Sequence, residues 1–276
     1  ALLAVPILVY VTQPLLLPVE PAVSERHADP QRLRADVERL SVEFFPRDYQ
    51  HPENLDRIAG WLEAEFRASG AEVSIQSYVV DGAVTYRNVI ARYGSGSDPL
   101  IVLGAHYDSA DELPAADDNA SGVAGLLELA RLFKAAPPAK PVELVAYTLE
   151  EPPYFRTPQM GSAMHARSLR EQGRPVKVML SLEMIGTFSD EEGSQAYPFP
   201  GMGLLYPQRG DYISIVGGFG EGGLARQIKR AMRAASSLPV YSVNAPSFIP
   251  GVDFSDHLSY WNQGYRSAEK REGKAC

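Results

Sequence analysis

The chain has 276 residues with 26 basic and 34 acidic side chains, a net charge of −8, and 45% hydrophobic and 22% charged residues. That composition belongs to a folded domain with a sizeable core, and its acidic balance speaks against a nucleic-acid binder, which needs a basic face. The single cysteine, Cys276, excludes an intrachain disulfide and a cysteine-based zinc site or nucleophile, so any metal must be held by His, Asp and Glu.

The first charged residue is Glu20. The apolar stretch before it contains Pro6, Pro14 and Pro18 and reads as the trailing part of a signal peptide or membrane anchor over residues 1–24. That reading places the protein outside the cytoplasm, as a periplasmic, membrane-anchored or secreted chain. Helical spacing follows at Leu33, Val37, Leu40 and Phe44, within 30–45, and at Leu55, Ile58, Leu62 and Phe66, within 54–69, where Gly70 ends the helix. Strands are expected at 72–80 and 86–93 around a turn at Gly82. A wholly apolar run at 100–105, a helix at 123–133, apolar strands at 142–148, 176–182 and 213–216, and a helix at 224–235 complete the pattern. Segment 189–210 reads as a long irregular loop. Strands alternating with helices predict a single α/β domain over 30–265 with a largely parallel sheet.

Ligands of such sheets bind beyond the C-terminal ends of the strands. Three of the apolar strands end in ionisable groups: His106 and Asp108, then Glu150 and Glu151, then Glu183. Asp117 and Asp118 open the helix after the first of these strands, and Ser255-Asp256-His257 lies in a loop near the C-terminus. Each group has an ordinary alternative: Asp117 or Asp118 as a helix N-cap, Glu150-Glu151 as a solvated turn, His257 as a hydrogen-bonded histidine. Together, two imidazoles and several carboxylates at one sheet edge repel each other unless a cation sits among them. Mixed His and carboxylate ligation fits zinc best, with manganese and cobalt tolerated by the same donors.

Gly104-Ala-His-Tyr-Asp-Ser109, Ala116-Asp-Asp-Asn-Ala-Ser-Gly122, Leu149-Glu-Glu151, Ser181-Leu-Glu-Met-Ile-Gly186 and Ser255-Asp-His257 follow one another in an order that resembles the co-catalytic zinc aminopeptidase family. That family includes bacterial leucyl aminopeptidases, carboxypeptidase-like folate hydrolases and glutaminyl cyclases. The resemblance implies a three-layer αβα fold with a mixed, mostly parallel sheet and two zinc ions per chain. It implies that His106 and Glu183 hold one ion, Glu151 and His257 the other, and that Asp118 bridges them. Glu150 is implied as general base for a zinc-bridged hydroxide, Asp108 as the acceptor of the other ring proton of His106, and the Asp118–Asn119 peptide as cis. The implied substrate is a peptide cleaved at its N-terminal residue. Glutaminyl cyclisation, or a non-catalytic or truncated member, are the alternatives. Nothing in the pattern bears on oligomeric state.

The chain departs from the family pattern at three places. Position 183 is Glu, where the best-known members carry Asp. An insertion after Glu151 offers Tyr154, Phe155 and Arg156 as substrate-pocket candidates. Residues 266–276 are charged, lack a strand pattern, and read as an atypical tail in place of a last strand and helix. The glycines from Gly217 to Gly223 do not make a dinucleotide-binding fingerprint, and His27, His51 and His165 read as surface residues. No serine stands in a G-x-S-x-G context, which excludes an ordinary serine hydrolase.

Overall fold

In a computed structural model, which describes residues 4–22, 26–197 and 201–272, the alternating pattern becomes a mixed sheet of eight strands among the described residues. In chain order the elements are α1 (Ala4–Thr12), α2 (Pro30–Glu38), α3 (Pro52–Ala68), β1 (Glu72–Val80), β2 (Val84–Tyr93), β3 (Leu100–His106), α4 (Gly122–Ala135), β4 (Val142–Tyr147), α5 (Gly161–Glu171), β5 (Val176–Glu183), β6 (Ile213–Gly217), α6 (Gly222–Ala235), β7 (Val240–Asn244), α7 (His257–Asn262) and β8 (Ser267–Glu272). The helices start where local chemistry asks. Pro30 and Pro52 occupy first-turn positions, where a missing N–H costs nothing, and the Asp29 side chain accepts from the amides of Gln31 and Arg32. Gly70, at φ +84°, turns the chain from α3 into β1.

The strand order is β1-β2-β4-β3-β5-β8-β6-β7. β3 pairs in parallel with both β4 and β5, β5 with β8, and β6 with β7; the other pairings are antiparallel. Alternation along the strands sorts side chains to two faces. Leu144 and Ala146 of β4 and Ala105 of β3 pack in one core with Leu62 and Phe66 of α3 and Val123, Leu126 and Leu127 of α4. Val145 and Tyr147 of β4 and Leu100 and Val102 of β3 face the other way, onto Ala166 and Leu169 of α5 and Tyr260 of α7. The result is a helix–sheet–helix sandwich, the architecture expected.

Three expectations need correction. The charged residues after position 266 were expected to lack a strand, yet Ser267–Glu272 form β8 between β5 and β6. The strand is held by backbone hydrogen bonds to two neighbours, which a polar sequence does not signal; positions 273–276, with Cys276, lie outside the described residues. His165, expected on the surface, is only 3% exposed. It sits on the inward side of α5, with Nε2 3.3 Å from a Glu143 carboxylate oxygen and Nδ1 2.6 Å from the Tyr260 hydroxyl. His51 is partly buried through its 2.8 Å bond to Asp48. α5, β7 and α7 carry too little periodicity to be placed from sequence.

Part of the apolar N-terminal stretch forms α1, which rests against β7. The Tyr10 ring packs on Phe219, the Thr12 carbonyl accepts from the Ser242 hydroxyl, and the Gln13 side chain accepts from Arg226. Val5 and Ile7 are each 62% exposed. Among the described residues no helix is long and apolar enough to cross a membrane.

Candidate metal centre

β3, β4 and β5 run parallel in register, with Ala105 beside Ala146 and Gly104 beside Ser181, so their C-terminal ends open on one edge. His106 is the last residue of β3 and Glu183 the last of β5, while Glu150 and Glu151 follow β4 after a short turn. Two left-handed non-glycine residues stand next to these groups: Leu149 at φ +61°, just before Glu150, and Met184 at φ +47°, just after Glu183. Such angles are disfavoured for a side chain with a Cβ and persist where the surroundings over-determine them, commonly at functional sites.

Asp108 organises the turn after β4. Its two carboxylate oxygens accept from the backbone amides of Glu150, at 3.2 Å, and Glu151, at 3.1 Å. The ring of His106 lies against the same residue, but Nδ1 makes its hydrogen bond to the Asp108 backbone carbonyl at 3.2 Å, with the carboxylate at 3.5 Å. The expected orienting contact is therefore carried by the main chain, and the side chain holds the two glutamates.

The Asp118–Asn119 peptide is cis, as the resemblance implied. Neither Asp117 nor Asp118 caps α4 with its side chain. Asn119 Oδ1 accepts from the Gly122 amide at 3.0 Å, and its Nδ2 donates to the Leu182 carbonyl at 2.8 Å. Asp117 instead accepts from the Gly186 amide. Asp118 is left facing the sheet edge with 41% of its side chain exposed. Glu183 is held from behind by the Ser255 hydroxyl at 2.8 Å and Asn119 Nδ2 at 3.3 Å, both on Oε2, which leaves Oε1 toward His106. Asn119 and Ser255 were not singled out in the sequence; the motif runs Asp-Asp-Asn and Ser-Asp-His are the only signals that could have found them.

These placements converge on one atom. With Nδ1 donating to a carbonyl, His106 Nε2 is the ring atom left for a ligand; it is buried and makes no hydrogen bond. Facing it are Asp118 Oδ1 at 3.2 Å, Glu183 Oε1 at 3.5 Å and Glu150 Oε2 at 3.8 Å. Ligand atoms of His106, Asp118 and Glu151 all lie within 4.8 Å of one another. Acceptors turned on acceptors in a buried place must share either protons or a bound cation. Without one, burial pushes the Glu150 carboxyl well above its ordinary range and Glu151 up to about 8, only partly offset by His106. Burial pulls the His106 imidazole down, but Glu183 and Glu150 outweigh it and hold the group well above its ordinary value. The donor set of one imidazole and several carboxylates fits zinc.

His257 is brought to the same region by α7 but not into that trio. The ring is fully buried, its Nε2 donates to the Val252 carbonyl at 2.7 Å, and it stands perpendicular to the Trp261 ring with centroids 4.5 Å apart. The three pocket candidates part company. Tyr154 turns toward Tyr49 and Tyr86 and donates to Asp81 at 3.1 Å, buttressing the β1–β2 hairpin. Phe155 packs edge-on against Phe254, and the Arg156 guanidinium lies over both rings and pairs with Asp253. These two residues join the loop after Glu151 to the loop before His257. Arg156 also borders a cavity of about 190 Å³ between that loop, α5 and α7.

Residues 88–270 match the model of peptidase family M28. The chain is 50% identical to the uncharacterized protein YfbL of Escherichia coli K12 over 244 residues, 86% of this chain and 74% of that protein. It is 26% identical to leucine aminopeptidase 1 of Trichoderma harzianum, over 88% of this chain and 59% of that protein. Among solved structures, the zinc aminopeptidase BSAP of Bacillus subtilis superposes with a TM-score of 0.68 at 14% identity, covering 90% of this chain and 86% of that one. A glutaminyl cyclase of Bacteroides thetaiotaomicron superposes at 0.63 with 19% identity, covering 90% of this chain and 85% of that one.

Proposed function

The chain belongs to peptidase family M28, and is thereby a zinc metallopeptidase of the aminopeptidase type; we propose that it removes N-terminal residues from peptides with Glu150 as general base. The observation that carries this reading is His106 Nε2, buried without a hydrogen bond and faced by oxygens of Asp118, Glu183 and Glu150. His106 and Glu183 would hold one zinc ion, Glu151 and His257 a second, and Asp118 both. Bound zinc supplies Lewis acidity, polarising the scissile carbonyl and lowering the pKa of water. The second ion would draw on His257, whose Nε2 donates to the Val252 carbonyl and whose other ring nitrogen, Nδ1, would be the ligand atom, and metal stoichiometry tests whether a second ion binds.

The chain's own residues divide the remaining work. Glu150 is 5% exposed and anchored through its amide by Asp108, and its carboxylate stands 3.8 Å from His106 Nε2, beside the proposed ligands. From there it takes a proton from attacking water and returns it to the leaving amine. The buried floor of His106 and Glu183 excludes bulk water, and the exposed side of Asp118 is the open approach for a peptide. Glu183 reaches the cluster despite its extra methylene because Ser255 and Asn119 fix its far oxygen.

The fold is shared with glutaminyl cyclases and does not separate hydrolysis from intramolecular aminolysis. Purified protein is given an aminoacyl arylamide and an N-terminal glutaminyl peptide, with and without chelator. Zinc-dependent release of arylamine is expected, and Glu150→Gln is expected to lower it by about 10²–10⁴-fold. Pyroglutamate formation without cleavage would favour the cyclase reading, and Glu150→Gln activity equal to wild type would remove Glu150 from the mechanism. An extracytoplasmic, membrane-associated location is part of the same proposal, supported by the exposed apolar side chains of α1. Release of the intact cellular protein by aqueous washing alone would contradict the membrane association.

A further inference from the structure

Arg47 lies outside the region matched to the family and has no part in the chemistry above. It is fully buried, and among the described residues it makes no ion pair. Burying a guanidinium is costly unless its donors are met. Here Nε donates to the Tyr107 carbonyl at 3.0 Å, one terminal nitrogen to Pro114 at 2.6 Å and the other to Ala115 at 2.7 Å. The Arg47 carbonyl in turn accepts from the Ser109 amide at 3.2 Å. The segment it grips, 107–115, is the whole connection between His106 and the turn that carries Asp118. One rigid planar group therefore holds both ends of that connection, the residue after His106 and the left-handed Ala115, at φ +47°, just before the Asp118 turn. Arg47 is itself fixed from α3, where the Asn54 side chain donates to the Pro46 carbonyl at 2.8 Å.

We propose that Arg47 is a positioning residue for the metal centre, clamping the two ends of the 107–115 loop so that His106 and Asp118 stand at ligating separation. The inference rests on the zinc reading above. It also has a sign that charge alone would reverse. A buried cation near Asp118 and Glu151 repels a metal ion, so on charge alone its removal would tighten zinc binding. A clamp makes the opposite demand.

The test uses the full chain as wild type, Arg47→Lys and Arg47→Met. Zinc affinity is read by competition with a chromophoric chelator, folding by circular-dichroism melting, and kcat and KM on an arylamide across a zinc series. Both variants are expected to bind zinc at least tenfold more weakly. Lysine keeps the charge but cannot span the two loop ends, so it is expected to resemble methionine more than arginine. Excess zinc is expected to restore much of the kcat of Arg47→Lys with KM little changed. Zinc affinity within twofold of wild type in Arg47→Lys, or tighter binding in Arg47→Met, would overturn the proposal. Should Arg47→Met not fold, Arg47→Lys decides alone. A wild-type chain that binds no zinc is a separate result, which sinks the zinc reading on which the clamp depends.

Discussion

The carboxylate of Asp108 accepts the backbone amide of Glu150 at 3.2 Å, so the first residues after β3 set the position of a side chain that follows β4. The same carboxylate takes the Glu151 amide, at 3.1 Å, with its other oxygen. Asparagine at 108 keeps one acceptor and turns a donor toward the other amide. Asp108→Asn is therefore expected to lower kcat/KM by about 10–100-fold, the usual scale for groups that orient ligands. Arylamidase kinetics beside a melting curve checks this; the expected result is a lower melting temperature, from the buried amide left facing a donor, and a loss of activity at temperatures where the variant is still folded.

The pH dependence of the metal-free protein follows from the buried carboxyls. Burial raises Glu151 from an ordinary 4.5 to about 8 and Asp256 from 3.8 to about 7, and it raises Glu150 in the same direction. A folded-state pKa above the unfolded value means that the folded chain binds more protons between those limits. Its stability is therefore expected to fall as pH rises from about 4.5 to about 8. Zinc releases those protons and should flatten the dependence. Urea titrations of chelated and zinc-loaded protein at several pH values would show it, and a chelated protein that grows more stable across that interval would contradict it.

Gly122 has no room for a side chain. A Cβ there would collide with Asn119 Oδ1 and with the Leu182 carbonyl, the groups through which Asn119 ties the Asp118 turn to β5. Gly122→Ala is expected to cost about 1–3 kcal/mol of stability, the range for overpacking a buried site. It should also weaken zinc binding, because Asn119 supports Glu183. Gly173→Ala serves as a contrast: nothing lies within 4 Å of its Cβ position, so its cost should be confined to the strain of φ +64° and should leave zinc affinity unchanged.

Much of the site was legible because its ionisable residues terminate apolar runs. His106, Glu150, Glu151 and Glu183 follow strands that sequence pattern alone could place, and parallel register then brings them together. The supporting residues were hidden for a physical reason. Arg47 acts through backbone carbonyls sixty or more positions away, and nothing local distinguishes it from other arginines. His165 finds Glu143 and Tyr260 only once α5 and α7 pack on β4. The strand at 267–272 escaped because its pairing is a property of two neighbouring backbones, not of its own apolar content.

Everything proposed for this chain depends on zinc binding at the edge formed by β3, β4 and β5. Anomalous diffraction at the zinc edge from crystals of the full chain grown with zinc tests it most directly. A peak is expected about 2.0–2.2 Å from His106 Nε2 and from carboxylate oxygens of Asp118 and Glu183, with a second peak beside Glu151 and His257 if two ions bind. No anomalous peak among His106, Asp118, Glu151 and Glu183, in a protein that is folded and zinc-saturated in solution, would contradict it.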